Sequence, residues 1–422
     1  MALRVLIAGG GLGGLTLAHG LRQAGLEPTV FERGPAAVDL TTSYRIHIDA
    51  TGSRALHLCL PAKLWEQFER KSAAPPRGIA FATEHLDQLA FIADPASAQD
   101  LGARAHPISR AGLRQLLLTD LQEVVRFDAR VVGYDHSSDG PVVAHLADGN
   151  SARGDVLVGA DGSASAVRKQ LLPRARVIDT GVAGIAGKVY LSERIRERIG
   201  SQLLSQMTMV LPLRSAAMFM APFVARANHP HSAEALDMPE HLFWVVLSHA
   251  NALGLTPGSR QHSATELRQL ALHNTEGLHD LLHELIAEAE PSSLVGVPLH
   301  TAQPVTPWET SCVTLLGDAV HTMTPLQGLG GNMALLDAAQ LCQRLVDADR
   351  GRMELLSAIA AYEAHMRQYG FDAVRRSLQV SNSVASGNML GRLAFRSVLR
   401  AADVLPWLSQ MLFRRPVLVP AM

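Results

Sequence analysis

The chain has 422 residues, 47% hydrophobic and 18% charged, which is enough to bury a large core and suits two closely joined domains. Its 38 lysines and arginines nearly balance its 39 aspartates and glutamates. This balance excludes a general attraction of the whole surface to nucleic acid or acidic membranes, and it favours a small organic ligand. Three widely spaced cysteines, Cys59, Cys312 and Cys342, indicate neither a disulfide framework nor a thiolate metal site.

Targeting signals are not evident. Met1 leads directly into an apolar segment, without the charged and apolar regions of a signal peptide. No run of about 18 apolar residues occurs, so a membrane-spanning helix is not expected. We expect a cytoplasmic protein, a monomer or a homodimer, that does not bind nucleic acid.

The start of the chain predicts a strand, a turn, a helix and a second strand. Residues 3–8 are apolar, residues 12–24 have helical spacing and end at Gly25, and "PTVFER" (28–33) has the composition of a strand. This order begins a doubly wound α/β sheet.

Later segments add strands and a helix, and they are followed by β-type runs without alternating helices. "SYRIHID" (43–49) alternates polar and apolar residues, which places Arg45 and His47 on one face of a strand. A helix capped by Ser109 is predicted next, and apolar strands precede polar turns at 155–162 and 312–319. Residues 79–92 and about 200–250 are β-type runs rich in Met, Phe and Val. Their large residues are expected in sheet core, with the lining of a pocket as the alternative; they are Met207, Met209, Met218, Phe219 and Met220.

The glycine-rich turn "GGGLGG" (9–14) fits a dinucleotide-binding fingerprint. The first glycine of the fingerprint permits a tight turn, the second lets the backbone approach a pyrophosphate, and the third lets the helix pack on the strand. Amides at the helix start then face the phosphates. The candidate contacts are Gly9, Gly11, Leu12, Gly13 and Gly14.

The end of the second strand narrows the choice of nucleotide. Glu32 stands where an acidic side chain accepts hydrogen bonds from an adenosine ribose. Its carboxylate would repel a 2′-phosphate, which favours FAD or NAD over NADP at this turn, although the neighbouring Arg33 weakens the inference. The turn does not decide between FAD and NAD.

The segment "GDAVHTMTPLQGLGGNMALLDA" (317–338) is more specific. Asp318 follows a strand, Pro325 interrupts the turn, and a glycine-rich stretch opens a helix. Unpaired amides at a helix start carry partial positive charge, which would stabilise the negative charge of a reduced flavin. The residues at this start are Gly328, Gly330, Gly331 and Asn332.

This segment resembles a motif of the single-component FAD-dependent aromatic hydroxylases, the para-hydroxybenzoate hydroxylase-like flavoprotein monooxygenases. "DVLVGADGSASAVR" (155–168) resembles the second signature of that class, with Asp161 at the turn and Arg168 closing it. The resemblance covers roughly residues 1–60, 105–175 and 300–370, and the order and spacing of the segments agree.

The resemblance implies roles for particular residues. Asp318 would hold the ribityl chain of FAD, and Asp161 and Arg110 would also belong to the cofactor site. Pro325 would border the place where oxygen meets the flavin. Arg45 and His47 are candidates to line the flavin cleft, and no side chain is identified as a catalytic base.

The implied fold is α/β, with a Rossmann-like FAD-binding domain of the glutathione reductase type built from discontinuous segments, a β-sheet-rich substrate domain and C-terminal helices. The expected limits are 1–75, 105–180 and 290–370 for the FAD-binding domain, 76–104 and 181–289 for the substrate domain, and 371–422 for the helical segment.

The implied activity is that of an FAD-dependent monooxygenase. It would consume NADPH or NADH and insert one atom of O2 into an aromatic or polycyclic substrate through a flavin peroxide, in natural-product or antibiotic tailoring. No second G-x-G-x-x-G follows a strand after residue 40, so NAD(P)H is expected to bind transiently. Two alternatives remain: a reductase or dehydrogenase of the same fold, of the geranylgeranyl reductase type, and a flavin-binding module without turnover.

Two other patterns are interpreted without a cofactor. His279 and His283 lie one helical turn apart but lack the glutamate base and third ligand of a zinc site, so no metal is expected. Arg392, Arg396 and Arg400 recur at helical spacing beside apolar residues. This amphipathic segment is expected to pack on the protein or on a second subunit, with a membrane surface as the alternative.

Overall fold

The computed structural model describes residues 2–35, 44–93, 104–136, 141–226, 236–255, 262–386, 388–405, 407–408 and 411. The strands are β1 (Arg4–Ala8), β2 (Glu27–Phe31), β3 (Arg45–Ile48), β4 (Gly78–Ala82), β5 (Gln88–Ala93), β6 (His106–Ser109), β7 (Val125–Arg126), β8 (Val131–Asp135), β9 (Val142–Leu146), β10 (Ser151–Gly154), β11 (Val156–Gly159), β12 (Val177–Tyr190), β13 (Met207–Val210), β14 (Ala217–Phe223), β15 (His241–His249), β16 (Val295–Ala302) and β17 (Val313–Leu315). The helices are α1 (Leu12–Gln23), α2 (Ala50–Cys59), α3 (Ala62–Lys71), α4 (Arg110–Leu118), α5 (Ala166–Leu171), α6 (Glu193–Ser205), α7 (Ala264–Asn274), α8 (Asp280–Ala287), α9 (Asp318–His321), α10 (Leu329–Asp349), α11 (Leu355–Ala385) and α12 (Met389–Val404).

A five-stranded parallel sheet has the order β17-β11-β1-β2-β7. Ala8 of β1 pairs with Gly159 of β11, which pairs with Leu315 of β17. The three strands come from remote parts of the chain, but they are parallel and in register. Their carboxyl ends therefore lie side by side at one edge of the sheet.

The core around this sheet is continuous. Val5, Ile7 and Val158 are fully buried, as expected for parallel strands that are covered on both faces. Helix α1 packs against α10 and α2, and the antiparallel sheet β10-β9-β8 contributes side chains to the same core. The glycine turn is thus held between a buried strand and a buried helix.

A second, seven-stranded sheet has the order β16-β12-β15-β14-β13-β4-β5. Met218, Met220 and Trp244 are buried on the face that packs against α7 and α8, so Met218 and Met220 lie in sheet core as expected. Phe219 and Val245 are half-buried neighbours on the opposite face. The 3₁₀ turn Pro325–Gln327 reaches that face, because Leu326 packs into the cluster that contains Val245.

The expected architecture of an α/β part, a sheet-rich part and C-terminal helices is confirmed. The seven-stranded sheet extends beyond the predicted limits of the substrate domain at 181 and 289, since β12 begins at Val177 and its partner β16 ends at Ala302. The long strand β12 has a register shift between Asp179 and Ala183, which no local sequence signal indicated.

Helix α12 lies against the edge of the seven-stranded sheet. Arg396 is buried; it donates to the carbonyl oxygen of Leu211 at 2.9 Å and forms an ion pair with Glu84. Arg392 donates to the carbonyl of Pro212 at 2.8 Å. The third arginine of the series, Arg400, is exposed. Among the described helices, none has both the length and the apolar character that a bilayer crossing requires.

Candidate active site

The turns after β1, β11 and β17 meet at the carboxyl edge of the parallel sheet. A Cβ placed on Gly9 would lie 2.3 Å from the carbonyl oxygen of Ala160, in the turn after β11. A Cβ on Gly13 would lie 2.7 Å from Cδ1 of Leu316, in the turn after β17. Both distances are shorter than any ordinary contact, so the three predicted signature segments form one site and need glycine to do so.

The three glycines of the fingerprint have different surroundings. Gly9 has φ of +113°, a conformation that favours glycine. A Cβ on Gly14 would lie 2.1 Å from the carbonyl oxygen of Gly9, whereas no atom lies within 4 Å of a Cβ on Gly11. Gly11 is the N-cap of α1 and supplies no side-chain cap, so the amides of the first turn are open to a ligand. The side chain of Leu12 is buried, which leaves its main chain at the turn.

Glu32 is bound to the glycine turn. Its two carboxylate oxygens accept the backbone N–H groups of Gly10 and Gly34, each at 2.8 Å. Arg114, one helical turn after Arg110, donates from Nε to the carbonyl of Gly10 at 2.9 Å and has its Nη2 atom 3.6 Å from Glu32. Arg114 was not predicted from the sequence, although its spacing from Arg110 was a signal. The neighbouring Arg33 is exposed.

Asp161 faces the same edge. Its Oδ2 atom accepts the backbone N–H of Ala166 at 2.7 Å, whereas its Oδ1 atom is buried and has no hydrogen-bond partner. Arg168 holds this turn against the next segment, since it donates to the carbonyl oxygens of Ser163 at 2.8 Å and Ala319 at 3.0 Å. A buried acceptor without a donor indicates a site for a hydroxyl-bearing ligand.

Asp318 lies at this edge beside the start of α10, and we refer to the space between them as the recess. Its side chain is open to solvent, yet burial among the surrounding protein atoms raises the pKa of the carboxyl, while the positive charges of His321 and Arg110 act in the opposite direction. Its Oδ1 atom lies 3.8 Å from the position of a Cβ on Gly330. Arg110 is exposed, and its charge partly offsets the rise in the pKa of Asp318. Both residues were predicted to contact the FAD cofactor.

A buried polar network supports the turn that carries Asp318. Asp337 of α10 accepts from the backbone N–H of Gly317 at 2.6 Å, from the hydroxyl of Tyr369 at 2.5 Å and from His321 at 2.7 Å. Burial alone would lower the pKa of His321, but the charge of Asp337 and its hydrogen bond outweigh burial and raise it. The sequence pattern placed Asp337 on a helix without indicating a role for it.

The start of α10 is open toward the recess. Gly328 caps the helix in the left-handed conformation with φ of +64°, and no side chain caps it. No atom lies within 4 Å of a Cβ on Gly331. The side chain of Asn332 donates to the carbonyl of His47 at 2.9 Å and accepts from the N–H of Asp49 at 3.0 Å. Asn332 therefore links β3 and the start of α2 to the start of α10, and its contact with the cofactor stays a prediction.

Pro325 is exposed and begins the 3₁₀ turn before Gly328. The residue before it, Thr324, is buried; its hydroxyl lies 2.6 Å from the hydroxyls of both Ser377 and Ser381 of α11. Helix α11 thus holds the turn that separates the recess from the seven-stranded sheet.

The histidines considered for metal binding make ordinary structural contacts. His279 caps α8 by accepting the N–H of Leu281, and His283 donates to the carbonyl of Thr275 at 2.7 Å. Among the described residues, no group of three or more His, Cys, Asp or Glu is arranged to hold a metal ion.

Fold and site together define a dinucleotide-binding protein of the flavoprotein kind, with a glycine turn, a second acidic turn and an open helix start at one sheet edge. The sequence profile of a family described as FAD binding domain matches residues 2–377. The chain belongs to this family, and its resemblance to the para-hydroxybenzoate hydroxylase-like class is confirmed. Its cofactor is FAD.

Individual proteins that resemble this chain are named as FAD-dependent or FAD-containing monooxygenases, or as a monooxygenase/isomerase. The dual O-methyltransferase/FAD-dependent monooxygenase elcB of Phaeosphaeria nodorum is 29% identical over 447 residues, which cover 94% of this chain and 47% of that protein. The aurachin C monooxygenase/isomerase of Stigmatella aurantiaca is 29% identical over 388 residues, 90% of this chain and 88% of that protein. The crystal structure of a candidate FAD-containing monooxygenase from Photorhabdus luminescens has a TM-score of 0.81 and 32% identity, covering 91% of this chain and 99% of that one. The chain spans about half the length of the first curated relatives that it matches.

The residues at the sheet edge fit an FAD molecule. The uncapped start of α1 suits a pyrophosphate, and the buried Oδ1 atom of Asp161 suits a hydroxyl donor. The recessed carboxylate of Asp318 suits a polyol chain, and the open backbone at Gly331 leaves room for a flat ring. Among the described residues, no hydrogen bond satisfies the Oδ1 atom of Asp161.

Proposed function

We propose that this chain is an FAD-dependent monooxygenase that consumes NADPH or NADH and inserts one atom of O2 into an aromatic or polycyclic organic substrate, in natural-product tailoring. The observation that carries the proposal is the convergence of the three turns after β1, β11 and β17, in a chain of the FAD binding domain family. The names of the relatives elcB and aurachin C monooxygenase/isomerase support an oxygen-inserting activity.

The proposal includes the following cofactor contacts. Gly9, Gly11 and the amides at the start of α1 would bind the pyrophosphate. Glu32 would accept the hydroxyls of the adenosine ribose with lone pairs that its bonds to Gly10 and Gly34 leave unused. Asp318 would accept the hydroxyls of the ribityl chain.

When bound, FAD supplies the transfer of two electrons from the nicotinamide nucleotide and the activation of oxygen. The chain's own residues orient the ring and control its charge. The amides of Gly330 and Gly331 would stabilise negative charge on the reduced ring, because the helix start carries partial positive charge there.

The substrate would lie between the turn Pro325–Gln327 and the half-buried face of the seven-stranded sheet. Leu326 of the turn and Val245 of β15 already share one apolar cluster across this boundary. Phe219 and Phe243 extend the same face and are half-buried. An apolar, aromatic surface of this kind suits a flat organic molecule and keeps water from the ring.

The proposal is tested with the purified holoprotein, NADPH or NADH, isotopically labelled dioxygen and a panel of polycyclic phenols. We expect a yellow protein, stimulation of NAD(P)H oxidation by a substrate, and one labelled oxygen atom in the product. Conversion of a substrate in the absence of oxygen would instead identify a reductase. A protein that binds FAD but shows no stimulation by any member of the panel would be a flavin-binding module, and either result contradicts the proposal.

A further inference from the structure

Arg45, the first residue of β3, is a buried cation that has no ion-pair partner among the described residues. Its side chain is 9% exposed, and its Nε and Nη2 atoms are fully buried without a hydrogen bond. Its neighbour across the β3–β6 ladder is Ser109, which caps α4 with its hydroxyl.

An isolated buried charge is costly, so its presence requires a reason. Burial is the cause that lowers the pKa of Arg45 to about 10, and no nearby carboxylate offsets it. The guanidinium nevertheless stays protonated at neutral pH. Buried, strongly perturbed charges of this kind concentrate at functional sites.

The neighbouring groups add positive charge. His241, the first residue of β15, is fully buried, and its Nδ1 atom donates to the carbonyl of Pro239 at 2.8 Å. Burial, with smaller contributions from the charges of Lys188 and Arg45, lowers the pKa of His241 to about 4. The charge of Glu290 favours the charged form of Lys188.

Arg45 lies between the flavin recess and the seven-stranded sheet. His47 follows two residues later on the same face of β3, about 7 Å along the strand. The Cβ atom of His47 lies 4.0 Å from the position of a Cβ on Gly328, at the start of α10. In the other direction, Arg45 acts on His241 of the seven-stranded sheet. A ligand group at Arg45 would therefore lie near the strand that reaches the start of α10 and near the seven-stranded sheet.

We propose that Arg45 binds an anionic oxygen group of the organic substrate, a carboxylate or an ionised phenol or enol. A planar guanidinium presents donors in a fork that matches two such oxygens. The identity of the ligand as substrate rests on the proposed function. The inference restricts the substrate class to acids, and it makes Arg45 a specificity-determining residue.

The test uses the FAD-loaded protein and four probes: acetate and benzoate, with acetamide and benzamide as neutral counterparts of the same shape. Melting temperatures are measured at constant ionic strength in the wild type, Arg45→Met, Arg45→Lys and the control Arg400→Met, which removes an exposed guanidinium. We expect a saturable increase with the acids and none with the amides. In Arg45→Met the acids should bind about tenfold to a hundredfold more weakly, Arg45→Lys should be intermediate, and Arg400→Met should match the wild type.

Without ligand, Arg45→Met should be at least as stable as the wild type, because it removes an uncompensated charge. Equal responses of the wild type and Arg45→Met, or no saturable response of the wild type, would overturn the proposal. So would loss of FAD from Arg45→Met, or a selective loss of NADPH and NADH binding, which would assign Arg45 to a nucleotide. Because melting needs no turnover, acid binding without oxygen insertion would contradict the proposed function alone.

Discussion

His321 and Asp337 form a buried pair in which Nε2 of the histidine lies 2.7 Å from Oδ2 of the aspartate, and neither side chain is exposed. The same carboxylate accepts the N–H of Gly317 and the hydroxyl of Tyr369. Gly317 immediately precedes Asp318, so the pair fixes the backbone that presents the recessed carboxylate. Because three groups bind the buried carboxylate of Asp337, we expect the conformation of the site to depend on this residue.

Asp337→Asn should destabilise the protein and weaken FAD retention. The amide of asparagine replaces one acceptor oxygen by an NH2 group, so at least one of the three buried donors loses its acceptor, at a cost of about 1–3 kcal/mol in the free energy of unfolding. Tyr369→Phe removes a single hydrogen bond to the same carboxylate and should cost about 1 kcal/mol. Urea unfolding and the flavin content of the purified variants measure both effects. Equal losses of unfolding free energy in the two variants would contradict the inference that Asp337 binds several groups of the network.

Two substitutions in the glycine turn should affect stability and cofactor binding differently. In Gly14→Ala the new Cβ would lie 2.1 Å from the carbonyl of Gly9, so the helix must move and stability should fall by about 1–3 kcal/mol or more. Gly11 has φ of −81° and open space around its Cβ position, so Gly11→Ala creates no clash and should cost only about 1 kcal/mol, because alanine is a poorer N-cap residue than glycine.

Gly11→Ala should nevertheless bind FAD at least about tenfold more weakly, because the added methyl group occupies the approach of the pyrophosphate. Urea unfolding of the apoproteins and fluorescence titration with FAD measure the two quantities separately. Unchanged FAD affinity in Gly11→Ala would argue against a pyrophosphate at this turn.

The C-terminal helix α12 depends on one arginine. Arg396→Met removes the buried donor to Leu211 and the partner of Glu84, and it should reduce the free energy of unfolding by about 1–3 kcal/mol. Arg400→Met changes an exposed side chain and should have an effect within about 0.5 kcal/mol. Hydrogen exchange of the α12 amides should accelerate in the first variant only. If both variants leave exchange unchanged, the helix is held by other contacts.

Acid should destabilise the protein through His241. Its pKa is about 4 in the folded chain, against 6.5 for an ordinary histidine, so between these values the unfolded chain binds a proton that the folded chain does not. Stability therefore declines as the pH falls from about 6.5 to about 4, by about 3 kcal/mol for this group. His241→Asn should flatten the decline, whereas His273→Asn, at an exposed histidine, should not. The prediction is tested by unfolding free energies measured across this pH range, and an equally steep decline in His241→Asn would contradict it.

Local rules determined much of the fold in advance. The glycine turn, the cap of α4 by Ser109 and the start of α10 after Gly328 each depend on residues within one or two turns. The sequence therefore predicted the strands and helix starts that surround the site, and the family resemblance. The register shift of β12 and the extent of the second sheet could not be predicted, because pairing partners come from distant segments.

The sequence by itself determined where backbone amides are left open, since φ preference and helix capping are local properties. Only the tertiary structure decided which side chains have partners. The side chain of Asn332 binds the carbonyl of His47, and Asp337 acquires a partner from α11. Arg45 is left with no partner at all among the described residues. Burial and pairing depend on groups that folding brings together from hundreds of residues apart, and no local pattern records them.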